Sequence, residues 1–176
     1  MLPPTEPLVR RSPQGRRWLA VGALAATLAA SSSLARWRDE HALLINTTQS
    51  LPHWAFWIYK HRTPVRGDFV VFAPPQTPLI TAHFGKVSPP FAKRVYGMPG
   101  DVVTRENGVV RINGGQVARL KRVSSRGEPL APGPTGRIPE RCYYLGTEHK
   151  DGLDSRYADI GFVCARSIIG TGDSLM

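Results

Sequence analysis

Val102-Val103-Thr104-Arg105-Glu106-Asn107-Gly108-Val109-Val110-Arg111-Ile112-Asn113-Gly114-Gly115-Gln116-Val117-Ala118-Arg119-Leu120 is the stretch that decides the fold class. Three short runs rich in β-branched residues, Val102 to Arg105, Val109 to Ile112 and Val117 to Leu120, are separated by Asn107-Gly108 and by Asn113-Gly114-Gly115. Such pairs supply the positive φ that tight hairpins need, so the spacing predicts an antiparallel meander. Outward from it the pattern repeats. Asp68 to Phe72 (DFVVF), Leu79 to His83 (LITAH) and Phe91 to Tyr96 (FAKRVY) precede it, and Cys142 to Leu145 (CYYL) and Gly161 to Ile169 (GFVCARSII) follow. All read as short strands, whereas Ser124 to Pro139, with three glycines and four prolines, reads as an irregular surface loop.

Upstream, Trp18 to Ala35 (WLAVGALAATLAASSSLA) carries no charge over 18 residues and is bracketed by Arg17 and by Arg36 and Arg38. It reads as a membrane segment near the lower length limit for spanning. A cleavable signal sequence, with Ser33-Leu34-Ala35 as a small-x-small site, competes with a retained anchor. The anchor is preferred, because the segment argued below to carry the nucleophile begins only about ten residues later. Arg10, Arg11, Arg16 and Arg17 precede the segment and Asp39 and Glu40 follow it. The positive-inside rule then places residues 1–17 in the cytoplasm, 18–35 in the membrane as a single pass, and a β-rich domain, 36–176, outside.

The formal charge of +10 invites a nucleic-acid reading. The basic residues are scattered among strand-like runs with no aromatic-laced stripe, which fits a basic protein working beside anionic lipid. Five dispersed histidines with no His-x-x-x-His or Cys-x-x-Cys pair give a metal site no support, and no Walker loop or dinucleotide fingerprint calls for a cofactor. Cys142 and Cys164 could form one bridge between neighbouring strands in an oxidising compartment, or be two small buried hydrophobes.

What remains is nucleophile and acid-base chemistry. Ile45-Asn46-Thr47-Thr48-Gln49-Ser50-Leu51-Pro52 offers a serine just past the membrane segment, although a turn explains the same residues. In Phe91 to Tyr96, alternation puts Lys93 on the face of Phe91 and Val95, where desolvation favours a neutral amine able to take a proton from Ser50. A lysine snorkelling from an edge strand is the plainer alternative. Asp154 and Arg156, two apart, share one face of an extended segment and can pair. His53, three residues from Ser50, is a rival base.

In this order behind a membrane segment, these elements resemble the type I signal peptidase superfamily, and more narrowly its TraF-type branch of conjugative transfer signal peptidases. Asn46-x-Thr48-x-Ser50-x-Pro52 is similar to the nucleophile motif, Lys93-Arg94-Val95 with Gly97-x-Pro99-Gly100-Asp101 to the lysine motif, and Leu145-Gly146 with Asp154-Ser155-Arg156-Tyr157 to the terminal motif. Gly67-Asp68 with the Val70-Val71-Phe72 strand matches a further motif. The resemblance implies a barrel-like antiparallel β domain on one transmembrane helix and a Ser50–Lys93 dyad. It also implies oxyanion donors from the Thr48 hydroxyl and the Ser50 N–H, and a site braced by Asp154 and Arg156. The substrate would be a signal-peptide-bearing precursor, a pilin of a conjugation or secretion machinery, with a housekeeping signal peptidase and a non-catalytic tethered β domain as the alternatives. Two departures stand out: Trp54 where the branch has glycine, and Gly152 where general signal peptidases often carry a lysine-binding serine.

Overall fold

The computed structural model describes residues 13–45 and 51–175, which form two compact units divided between Asp39 and Glu40. The first holds all but the last residue of helix α1 (Pro13–Glu40), long and apolar enough to cross a membrane. Its 28 residues span about 42 Å at 1.5 Å per residue. Thr27, Ser31 and Ser32 donate their hydroxyls to the carbonyls of Ala23, Leu28 and Ala29, each at 2.9 Å. Polar side chains satisfied within their own helix can sit in a hydrocarbon environment.

In the second unit, strands β1 (His41–Ile45), β2 (Ala55–Tyr59) and β3 (Phe69–Phe72) lead to helix α2 (Pro78–Phe84) and strand β4 (Phe91–Gly97). The meander follows as β5 (Val102–Glu106), β6 (Val109–Ile112) and β7 (Gly115–Arg119), then β8 (Gly136–Arg137), β9 (Cys142–Gly146), β10 (Val163–Cys164) and β11 (Ile168–Leu175). The strands make two antiparallel sheets, in the orders β1-β2-β11-β3-β4-β9-β10 and β7-β6-β5-β8. The fold is mainly β, as the Asn-Gly spacing predicts. Asn107 and Gly108 have φ of 49° and 76°, and Asn113 and Gly114 have 49° and 84°, the left-handed pairs that close these hairpins.

The long sheet is covered on both faces, which is why all four residues of β3 are buried. Val70 and Phe72 join Ile80, Val95 and Leu145 in one core, while Phe69 and Val71 join Leu51, Phe56 and Ile58 in another. A third core, with Val103, Val110, Ile112, Ile138 and Tyr144, joins the short sheet to β9. The long sheet also curls into a half-barrel: Leu44 and Ile45 of β1 line the same cavity as Ala92 and Lys93 of β4, with three strands between them in the sheet order.

Three expectations change. Gly161 to Ile169 is not one strand: β10 and the start of β11 are parted by a 3-10 turn at Ala165–Ser167. Leu79 to His83 is helix rather than strand. Thr77 caps α2 by accepting from the Ile80 N–H at 3.3 Å, and Pro78 occupies the first turn, where its missing N–H costs nothing. Residues 124–139 are more constrained than an irregular loop. Val123 bridges to Pro129 and Pro132 to Tyr157, Ile138 is 1% exposed, and the Gly133 N–H donates to the Arg156 carbonyl at 2.7 Å.

Candidate active site

Lys93 lies in the middle of β4, paired in register with Val70 of β3. Alternation turns Lys93, Val95 and Gly97 inward, and the Lys93 side chain is left 5% exposed with its Nζ 5.8 Å from the centre of the Phe91 ring. Burial pushes its pKa down from 10.5 to about 8. The Asp154 carboxylate opposes that shift, and the Arg156 guanidinium adds to it.

Asp154 and Arg156 form a buried bidentate pair, with Nε to Oδ1 and Nη2 to Oδ2 both at 2.8 Å. Arg156 Nη2 also donates to the Thr147 carbonyl at 2.7 Å, and the Thr147 N–H donates to Asp154 Oδ2 at 3.1 Å. Between them Ser155 is tied to β9, its hydroxyl accepting from the Leu145 N–H at 2.9 Å and its own N–H donating to the Leu145 carbonyl at 3.0 Å. The pair therefore fixes the turn that leaves β9 beside Lys93. At Gly152 within that turn, a Cβ would meet Thr147 Cγ2 at 2.0 Å. The Thr147 methyl occupies the room that a serine would need.

Ser50 and Thr48 lie outside the described residues. The residues on either side of that segment are placed: Ile45 ends β1 and lines a cavity of about 350 Å³ with Lys93 and Gly152 in its wall. Leu51 lines a second cavity, of about 380 Å³, with Arg94 and Thr147. His149 borders both cavities. His53 packs edge-on against Phe56 and Phe69, with ring centres 6.0 and 5.3 Å apart, and lines the second cavity instead of the one that Lys93 borders. Cys142 and Cys164 sit directly opposite each other in the β9–β10 register and are joined by a disulfide. Among the described residues no cluster of His, Cys, Asp and Glu could hold a metal ion.

The family model for signal peptidases, peptidase S26, matches residues 16–176, which is nearly the whole chain. The chain belongs to the signal peptidase S26 family. It is 30% identical over 144 residues to the plasmid transfer protein TraF of Escherichia coli, covering 74% of this chain and 75% of that protein. A crystal structure of a signal peptidase I from Enterococcus faecalis V583 aligns with a TM-score of 0.38 at 25% identity, over 62% of this chain and 97% of that one. Family membership makes this signal peptidase a serine protease acting on signal-peptide-bearing precursors, and with α1 it describes a membrane-anchored enzyme.

Several residues around the cleft of this signal peptidase carry no signal in the sequence. His83 Nε2 on α2 is 2.9 Å from Glu128 Oε1, and the Ser124 hydroxyl donates to the other oxygen of that carboxylate. Lys121 pairs with Asp151. These partners lie 45 and 30 residues apart, beyond any local spacing rule. The Thr77-Pro78 start of α2 is the one local cue that could have placed His83 on a helix.

Proposed function

We propose that this signal peptidase cleaves its precursor through a Ser50–Lys93 dyad. The observation that carries the reading is Lys93 itself, a lysine 5% exposed whose pKa is lowered by burial to about 8, on the wall of a cavity that the end of β1 also lines. In the reaction, the Ser50 hydroxyl attacks the scissile carbonyl while Lys93 takes its proton. The ammonium so formed then protonates the departing amine, and water, activated in turn by Lys93, hydrolyses the acyl-enzyme. The Ser50 N–H and the Thr48 hydroxyl donate to the oxyanion, and loss of one such donor would cost about 2.7 to 4 kcal/mol of barrier. Asp154 and Arg156 touch no reacting atom and hold the turn against Lys93.

The precursor lies along the cleft as an added strand with small side chains at the cut. Residues 18–35 stay in the inner membrane as a retained anchor, residues 1–17 remain cytoplasmic, and the catalytic unit works in the periplasm on a pilin precursor of a conjugation or secretion apparatus. The likeness to a plasmid transfer protein supports that choice of substrate. Purified full-length chain incubated with pilin precursors should give one new amino terminus by mass spectrometry, and Ser50→Ala and Lys93→Ala should each abolish it. Processing that survives both substitutions would leave a non-catalytic tethered β domain as the better description. Complementation of a strain depleted of its general signal peptidase would instead indicate a housekeeping substrate range.

A further inference from the structure

The cavity of about 350 Å³ beside Lys93 is walled by segments far apart in sequence. Helix α2 supplies Leu79 and Phe84, the 121–130 segment supplies Leu130, and Phe91 and Leu153 complete an apolar lining. The two outer walls are latched together by Glu128, which joins His83 of α2 to Ser124 of the facing segment. At the rim His83 pairs with Glu128 and Lys121 with Asp151, and Lys93 and His149 are the remaining basic groups of the wall, so Leu79, Phe84, Leu130 and Leu153 define the part that suits a neutral, apolar occupant. Its size is equally informative. A methyl side chain is about the size of a water molecule, ~30 Å³, so a cavity of about 350 Å³ has room for the strand of a bound peptide and for a larger side chain beside it. Apolar walls left without contacting atoms forfeit dispersion and stay hydrated at a cost, and a large apolar side chain removes both losses.

We propose that this cavity takes a bulky apolar side chain of the precursor close to the scissile bond, and that Leu130 and Leu79, facing it from the two latched walls, set that preference. The inference rests on the peptidase reading above, because it is Lys93 on the cavity wall that brings a peptide there.

The test uses the full-length chain in detergent carrying Ser50→Ala, so that binding is read without cleavage. Fluorescent peptides with an Ala-x-Ala cut carry Ala, Leu or Phe at each neighbouring position in turn. One position is expected to bind roughly tenfold or more tightly with Leu or Phe than with Ala. Leu130→Trp, which fills the cavity, should erase that preference, and Leu130→Ala should shift it from Leu towards Phe. Leu79→Trp, acting from the opposite wall, should erase it independently, and a misfolded variant would reveal itself by losing every peptide alike. Equal binding at all positions, no binding at any, or a preference unmoved by both Trp variants would overturn the proposal. The same peptides are scored for cleavage with Ser50 intact. Peptides that bind with the preference but are never cut would defeat the peptidase reading alone, and peptides cut without the preference would defeat the cavity assignment alone.

Discussion

Burial of Lys93 opposite Val70 strips water from its ammonium, and the consequences differ for activity and for stability. For a base that acts as the neutral amine, kcat/KM should climb about tenfold per pH step up to pH 8 and level off above it, following the pKa of about 8. A limb that levels near the ordinary imidazole range of about 6.5 would point to a histidine base and remove Lys93 from the mechanism. For stability, the folded pKa of about 8 lies below the ordinary 10.5, so below pH 8 the folded state carries the full penalty of a buried ammonium. Between about 8 and 10.5 the unfolded chain binds more protons, and stability rises with pH until the penalty is gone. Lys93→Met should therefore stabilise the protein by on the order of 3 kcal/mol at pH 7 and progressively less towards pH 11, as read by urea unfolding across that range. Gly152 answers to packing instead. Gly152→Ser drives a Cβ into Thr147 Cγ2 and should destabilise by about 1 to 3 kcal/mol. Thr147→Ser removes that methyl, so the double variant should recover most of the loss. Additive losses in thermal unfolding would show that the methyl is not what excludes a side chain at 152.

Strand β10 has two residues, and the disulfide from Cys164 to Cys142 binds it to β9 at the sheet edge. The closed loop, with the two cysteines 22 residues apart, contains Thr147, Gly152, Asp154 and Arg156, so the bridge constrains the turn beside Lys93. In the chain-entropy account, a loop of that length is worth about 3 kcal/mol. Cys142→Ala with Cys164→Ala should lower stability by about that much, whereas an unchanged urea midpoint would show that the ion pair and Ser155 hold the turn unaided. The sequence makes the meander legible because Asn-Gly pairs state their own backbone conformation, and it makes the burial of Lys93 legible because alternation fixes a strand's faces. It hides α2, since Leu-Ile-Thr-Ala-His is β-branched enough to read as strand and only Thr77-Pro78 betrays the helix. It also hides β1 and β2. His41–Ile45 runs straight on from the helical residues, and Ala55–Tyr59 is nearly all apolar although its Trp57 and Tyr59 are only half-buried, so the sequence shows no alternation in either. Contacts such as His83 with Glu128 depend on how α2 and a distant segment meet, and no spacing rule reaches 45 residues.

Among the described residues, all three hydrophobic cores are built within the unit that begins at Glu40. On α1, Trp18, Leu19, Leu24 and Leu28 are each more than half exposed, the condition of a helix whose apolar surface is meant for lipid. Of the 23 Lys and Arg, 17 lie in residues 40–176 with 11 of the 13 Asp and Glu, so the β unit carries a net charge of +6 of its own. Basic residues near an anionic bilayer contribute about 1 kcal/mol each at low salt and far less once the Debye length shrinks to a few ångströms. A chain beginning at Asp39 keeps Glu40, whose carbonyl accepts from the Lys60 N–H at 2.9 Å, and should unfold cooperatively at the temperature of the full-length β unit. It should associate with vesicles containing anionic lipid at low salt, leave them near 1 M salt, and ignore neutral vesicles. It should also cleave precursor solubilised in detergent, yet fail to process membrane-held precursor in cells, where the anchor supplies the effective concentration. Loss of cooperative unfolding on truncation would mean that α1 contributes to the fold, and salt-insensitive binding would mean that apolar surface, rather than the net positive charge, brings the β unit to the membrane.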